Sequence, residues 1–358
     1  MQVIRAHAAR VAAAFPRPLR FREQPMTTNT AVVVQLEEAD GAVGFGYVPT
    51  FGFGTEAVRR HVVDDFAPLI FRTELPTTRH AIAIMTDAAL IGGRLAGSAR
   101  QAMAILEMAL LDIEGQLAGT PLHQLWGQTT ESVRAYASGG WRYLPVDELT
   151  RFARGAVDEG FNAVKLQVGL SPCEDAARVR AIRDAIGPDA DVMLDANQRI
   201  PPDLATEWMA ALAPFNPAWL EEPLPAQSHE RLASLRRTSA VPIAAGESET
   251  EQCELEDLLA RRAIDVIQPD VHRIGLEAAR AVRCRAADAN AAVSPHMAHE
   301  LSAHVLSGVS GDGWLEYFDW FEDWWELPVV PRSGRITPPP VAGHGLRLRS
   351  GWLDAHRI

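Results

Sequence analysis

Short apolar runs alternate with amphipathic stretches through most of the chain beyond residue 130, and that alternation predicts βα units. Runs at 133–137 and 162–168 read as two buried strands. Six more end at or just before a polar residue. Asp195 closes Asp191-Val-Met-Leu, Glu221 closes Ala218-Trp-Leu, and Glu247 follows Pro242-Ile-Ala-Ala-Gly. Asp270 follows Ile264-Asp-Val-Ile-Gln-Pro, His296 follows Ala291-Ala-Val-Ser-Pro, and Glu316 follows Trp314-Leu. Between them, 147–159, 174–186, 202–212, 228–237, 251–261 and 276–290 carry apolar residues three and four apart and read as helices. The six polar positions are spaced 26, 26, 23, 26 and 20 residues apart, the length of one strand, one helix and two short loops. Eight such strands predict an α/β chain of the (β/α)8 barrel type, in which side chains at the C-terminal strand ends converge on one mouth.

The first 130 or so residues follow a different pattern. Two antiparallel strands are predicted at 30–36 and 42–47, joined by an acidic turn, and a long Ala- and Leu-rich helix at 100–118. Strands followed by helices indicate an α+β domain. The expected division is a capping domain over 1–128, a barrel over 129–320, and a Pro- and Gly-rich segment over 321–358 that packs back on the cap.

Composition narrows the classes without choosing among them. The chain of 358 residues is too long for a bare barrel, and no apolar run is long enough to span a bilayer. Residues 3–14 carry Arg5, His7 and Arg10 among alanines and lack the apolar stretch of a secretory signal, so a cytoplasmic location is expected. Cys173, Cys253 and Cys284 have no metal-type spacing and fit reduced thiols. A net charge of -12 argues against nucleic acid as a partner.

The chemistry follows from residue type at the strand ends. Three converging carboxylates, Asp195, Glu221 and Glu247, would repel one another unless a cation sat among them. Oxygen-only ligands favour a hard ion, Mg2+ first and Mn2+ second. Asp270 and His296 on the next two strands predict a dyad in which the carboxylate fixes one imidazole nitrogen and the other acts as base. His299 and His304 fall in the helix that should follow, which selects His296. Lys165 and Gln167 share one face of the second strand and point into the mouth. Lys165 offers a positive charge or a proton, whereas the Gln167 amide only hydrogen-bonds.

These segments together resemble the enolase superfamily, and within it the mandelate racemase subgroup. The resemblance rests on Ala163-Val-Lys-Leu-Gln, Leu194-Asp-Ala-Asn-Gln, Trp219-Leu-Glu-Glu-Pro, Pro242-Ile-Ala-Ala-Gly-Glu, Ile267-Gln-Pro-Asp, Ser294-Pro-His and Leu315-Glu, and on the stretch 102–127 in the cap. It implies a modified TIM barrel, (β/α)7β, with an N-terminal α+β capping domain. It also implies Mg2+-assisted removal of the proton α to a carboxylate, giving an enediolate held by the metal. Asp195, Glu221 and Glu247 match the ligands, Asp270 and His296 the dyad, Glu316 an acid that hydrogen-bonds the substrate carboxylate, and Asn197 a residue near the metal and the α-hydroxyl. Glu222 is left outside the site, subject to a one-residue register. Members with two bases carry a second lysine where this chain has Gln167. A single base on the His296 face suits dehydration of an aldonate or aldarate to a 2-keto-3-deoxy acid. A racemase, epimerase or cycloisomerase starting from the same enolate is the alternative, and a catalytically silent binding relative is a third.

Specificity is expected from loops at 15–26 and 48–55, with Arg17, Arg20, Arg22, Tyr47 and Phe51 as candidates to touch a small carboxylate substrate. The aromatic stretch 314–325 is read as core or subunit interface rather than as a sugar platform. The resemblance further implies a homo-oligomer.

Overall fold

In the computed structural model, described for residues 1–358 apart from 21–22, 72–73, 94–95 and 309–312, the chain forms a three-stranded antiparallel sheet and a parallel barrel. The cap contains β1 (Val3–Leu19), β2 (Met26–Glu38) and β3 (Val43–Pro49), paired in sequence order. The hydrophobic pattern alone does not reveal β1. Its alanines blur the alternation of large and polar residues, yet Val11, Ala13 and Phe15 face the barrel-side core and Val11 pairs with Ala31. The expected loop at 15–26 is therefore strand at both ends, over 15–19 and at 26, and Leu19 still pairs with Met26.

The run Thr30-Ala-Val-Val-Val-Gln-Leu lacks a polar face because both faces of β2 are covered. Ala31 and Val33 join the core shared with the barrel, while Val32, Val34 and Leu36 join a second core under the cap helices. The helix Ser98–Leu117 lies directly across β3. Glycine permits that contact: a Cβ on Gly44 would stand 2.0 Å from the Ala109 carbonyl oxygen, and one on Gly46 2.2 Å from that of Ile105.

The barrel strands are β4 (Val133–Gly140), β5 (Ala163–Gln167), β6 (Asp191–Asp195), β7 (Trp219–Glu221), β8 (Ile243–Ala245), β9 (Val266–Ile267), β10 (Ala292–Val293) and β11 (Trp314–Tyr317). They pair in parallel in the order β10-β9-β8-β7-β6-β5-β4-β11. β10 and β11 share no ladder among the described residues, so the barrel is nearly closed. Tyr136, Met193, Trp219, Ala244, Val266 and Trp314 form a buried cluster that plugs it below the mouth.

The last segment divides its contacts. β12 (Arg335–Ile336) pairs antiparallel with β4 and so joins the barrel. Farther on, Arg347 pairs with Asp112 at 2.9 Å and His344 Nε2 donates to the Phe45 carbonyl at 2.7 Å, both in the cap. Trp324 and Trp325 are buried against Tyr47, and Phe45 packs on Trp325. No described helix is long and apolar enough to cross a membrane.

Candidate active site

Strand register assembles the mouth. Gln167 pairs with Asp195 and Asp195 with Glu221, so three neighbouring strands end in one level of inward-facing polar side chains. Glu247 joins them from just beyond β8, after Gly246 turns the chain at φ 135°. A Cβ on Gly246 would meet the Gln268 nitrogen at 2.8 Å. Asp270 and His296 continue the β9–β10 register as a parallel bridge past the strand ends.

After these residues the backbone turns through left-handed conformations, at Asn197 (φ 42°), Glu222 (φ 40°) and Met297 (φ 49°). Such conformations are costly outside glycine and concentrate where a site must be shaped. The turn at Glu222 sends its carboxyl away from the mouth, where Gln198 Nε2 donates to it at 3.1 Å. Glu221, not Glu222, therefore shares the level of Asp195.

All of these carboxyls are buried. Lys165 reaches up among them, its Nζ 2.9 and 3.1 Å from the two oxygens of Glu221, 2.6 Å from Glu316 and 3.8 Å from Asp195. Burial disfavours its charge, but Glu221 and Glu316 overcome this and hold its pKa well above the usual lysine range. The Asp195 carboxyl is pushed up to about 8, first by burial and then by Glu221. Burial also raises Glu247 well above the carboxylate range, although His296 opposes the shift. Burial acts upward on Glu221 too, but Lys165 brings it below its ordinary value.

Asp195, Glu221, Glu222, Glu247, Asp270 and Glu316 thus outnumber the cationic groups around them, Lys165, Arg142, Arg273 and His296, in a space with little water to screen them. Among the described residues no three such side chains are drawn into a ligand cage. The donor set nevertheless fits a hard dication: oxygen only, buried, and raised in pKa where anions crowd. Asp195, Glu221 and Glu247 are the residues that would hold it.

His296 lies beside this group. Its Nδ1 is 3.0 Å from Asp270 Oδ2, and its Nε2 is 3.4 Å from Glu247 and 3.9 Å from Glu316. Burial would lower the imidazole pKa, but Glu247, the Asp270 hydrogen bond and Glu316 raise it to about 10. Asp270 is held well below the carboxylate range, where the His296 hydrogen bond and the charges of His296 and Arg273 outweigh its burial. Glu247 is the first of the groups that raise His296, so a cation among the carboxylates would lower the proton affinity of the imidazole toward that of a base.

A cavity of about 200 Å³ opens above, lined by Lys165, Gln167, Asp195, Asn197, His296 and Glu316 on its polar side. Its other side is formed by Phe51, Trp141, Phe318 and Trp320. Gln167 Oε1 accepts the Arg142 backbone N–H at 3.3 Å. Asn197 donates to both oxygens of Asp195, from its backbone N at 2.8 Å and from Nδ2 at 2.9 Å.

The cap residues expected at the mouth do not all reach it. Phe51 lines the cavity, but Tyr47 does not. Its ring is fully buried and its hydroxyl donates to Glu300 at 2.5 Å, making it part of the cap–barrel core. Arg20, with Arg17, lines a neighbouring cavity instead, and Arg17 pairs with Asp319 at 2.8 Å. Arg22 lies outside the described residues. The aromatic stretch is core only in part, since Phe318 and Trp320 face the cavity. Trp141 and Arg142 directly follow β4, whose C-terminal end, Ser138-Gly-Gly, carries no acidic or basic residue to mark a mouth position.

Comparison with known proteins agrees with this fold. A family model described as enolase C-terminal domain-like matches residues 148–352. A second, for the mandelate racemase / muconate lactonizing enzyme N-terminal domain, matches residues 5–127. L-talarate/galactarate dehydratase of Salmonella typhimurium is 30% identical over 333 residues, covering 92% of this chain and 83% of that protein. The 3,6-anhydro-alpha-L-galactonate cycloisomerase of Streptomyces coelicolor is 30% identical over 339 residues, covering 93% and 94%. The crystal structure of a racemase from Streptomyces coelicolor with bound magnesium superposes with a TM-score of 0.94 at 28% identity, over 99% of this chain and 100% of that one. The chain belongs to the mandelate racemase/muconate lactonizing enzyme family of the enolase superfamily.

Proposed function

We propose that this protein is a Mg2+-dependent dehydratase of an acid sugar, an aldonate or aldarate, converting it to a 2-keto-3-deoxy acid. One observation carries the reading: among the described residues that line the cavity, His296 offers a base on one face and Gln167 stands on the other. β5 and β10 stand three strands apart around the nearly closed barrel, so Gln167 faces His296 nearly across the mouth. An amide there neither takes nor gives a proton. Lys165, pinned as an ammonium between Glu221 and Glu316, is poorly placed to act as a second base.

The residues divide the work as follows. A divalent cation on Asp195, Glu221 and Glu247 would offset the negative charge that builds on the substrate carboxylate as its α-proton leaves. Lys165 and Glu316 orient that carboxylate. Asp270 holds Nδ1–H of His296, leaving Nε2 to take the proton from C2. The same imidazolium then protonates the departing C3 hydroxyl, so water leaves from the face on which the proton was taken. The enol that remains tautomerises to the 2-keto acid. General acid and base help of this kind contributes ~10^2 to 10^4-fold. The dehydratase relative and the magnesium bound to the racemase structure support this assignment.

A second reading draws on the apolar wall. Phe51, Trp141, Phe318 and Trp320 also suit a substrate with a ring or lactone beyond C3, as for a cycloisomerase or a racemase of an α-hydroxy acid. Incubating the purified protein with a panel of aldonates, aldarates and their lactones, with Mg2+ or with EDTA, separates the two. Metal-dependent 2-keto acid supports dehydration. Epimer or opened lactone without keto acid overturns it.

A further inference from the structure

Arg142 is almost fully buried, and among the described residues no carboxylate lies within ion-pair distance of it. Its hydrogen-bond acceptors are all neutral, and burial lowers its pKa, outweighing Asp195 and Asp175, which act on it only at longer range. Those acceptors all lie at the ends of β5 and β6. Nε donates to the Val168 carbonyl at 2.7 Å, and Nη2 to the Ala196 carbonyl at 3.3 Å and to Asn197 Oδ1 at 3.1 Å. With Oδ1 so held, the only amide orientation left to Asn197 turns Nδ2 toward Asp195 Oδ2. The Arg142 backbone N–H does the same for Gln167, engaging Oε1 and leaving Nε2 as the end without a hydrogen bond among the described residues.

We infer that Arg142 is a positioning residue whose side chain acts through Asn197 to hold Asp195 in its cation-binding orientation, while the backbone N–H at the same position leaves the NH2 end of the Gln167 amide toward substrate. The wall opposite His296 is then a hydrogen-bond donor to a substrate oxygen, not merely a wall without a base. The inference rests on Asp195 being a cation ligand, as proposed above. A purely structural tie between loops would share the contacts but not the route through Asn197.

The route is read by a double-mutant cycle on the full chain, with Mg2+ alone as the probe in titration calorimetry. Arg142→Met and Asn197→Ala should each weaken Mg2+ binding by ~10 to 100-fold, the usual effect of losing a group that orients a ligand. The double variant should be no weaker than the weaker single variant, within about threefold, because the two residues act in series. Losses that multiply, or an Arg142→Met affinity within about twofold of the wild type, would overturn the inference. Arg142→Lys, which keeps the charge but loses the fork, replaces Arg142→Met if that variant does not fold, and should fall between it and the wild type.

A second readout needs no metal. Hydrogen exchange of the Asn197 side-chain NH2, assigned by its loss in Asn197→Ala, should quicken at least ~10-fold in the Arg142 variant. Unchanged exchange would overturn the inference. A wild type that bound no Mg2+ would instead sink the proposed function, while the exchange experiment would still decide whether Arg142 holds Asn197.

Discussion

Asp270 and His296 are joined twice, by a parallel backbone bridge and by a side-chain hydrogen bond of 3.0 Å. The bridge continues the pairing of Val266 with Ala292 and of Ile267 with Val293. Barrel register itself therefore delivers the acid to the imidazole, and the spacing of two residues in sequence becomes a contact in space. A one-residue slip would turn one of the two side chains to the wrong face.

Removing the base should be more damaging than removing its support. His296→Asn is expected to slow exchange of the substrate α-proton with D2O by ~10^2 to 10^4-fold, and Asp270→Asn by less, since the imidazole remains but its tautomer is no longer fixed. Proton NMR of any acid sugar turned over in the screen measures both. Equal activity of His296→Asn and the wild type would remove His296 from the mechanism.

Gln167→Lys should add what the second face lacks. A lysine at the end of β5, level with Asp195, is expected to give epimerisation at C2 alongside elimination, read by chiral chromatography of recovered substrate. A variant that eliminates and never epimerises would mean that Gln167 does not sit on the open face.

Much of this site was legible because it is written along strands. Asp195, Glu221, Asp270, His296 and Glu316 each close an apolar run, and barrel geometry carries them to one mouth. The missed parts have no such signature. β1 is disguised by alanine, whose small side chain is at home in either face. Tyr47 resembles a loop residue at a strand end, yet the cap folds it inward onto Trp324 and Trp325. Arg142 reads as a surface arginine, since nothing local announces three acceptors contributed by residues from 168 to 197. Dense aromatic sequence from 314 to 325 does not say which rings face a cavity and which a core.

A buried chain of histidines should make the cap–barrel joint sensitive to acid. His304 Nε2–H donates to the His344 carbonyl at 3.1 Å, so its Nδ1 accepts from His123 Nδ1–H at 3.1 Å, and His123 Nε2 accepts from the Thr130 hydroxyl at 2.6 Å. A further proton on His304 would set N–H against N–H. Burial, with His344 and His123, depresses the His304 pKa to about 3. The unfolded chain takes up this proton near pH ~6.5 and the folded one only near 3, so the stabilisation is complete above ~6.5 and lost as pH falls below it. The slope is up to about 1.4 kcal/mol per pH unit. Urea midpoints at pH 7 and pH 5 should fall less between the two in His304→Gln than in the wild type, and identical falls would contradict the assignment.

Gly46→Ala should loosen the cap without touching the mouth. Its Cβ would press on the Ile105 carbonyl at 2.2 Å, and overpacking of this kind costs about 1 to 3 kcal/mol. A lowered urea midpoint with unaltered Mg2+ affinity is the expected pair of results. An unchanged midpoint would mean that the helix Ser98–Leu117 shifts freely on β3.

The proposed chemistry is a metal-dependent proton transfer confined to one face. Its most direct test is turnover of an aldarate or aldonate in D2O with Mg2+, followed by NMR of product and of recovered substrate. The expected result is a 2-keto-3-deoxy acid carrying solvent deuterium at C3, recovered substrate with unchanged configuration at C2, and neither exchange nor product in EDTA. Recovered substrate carrying deuterium in both C2 configurations would show that a second face is active and would contradict it.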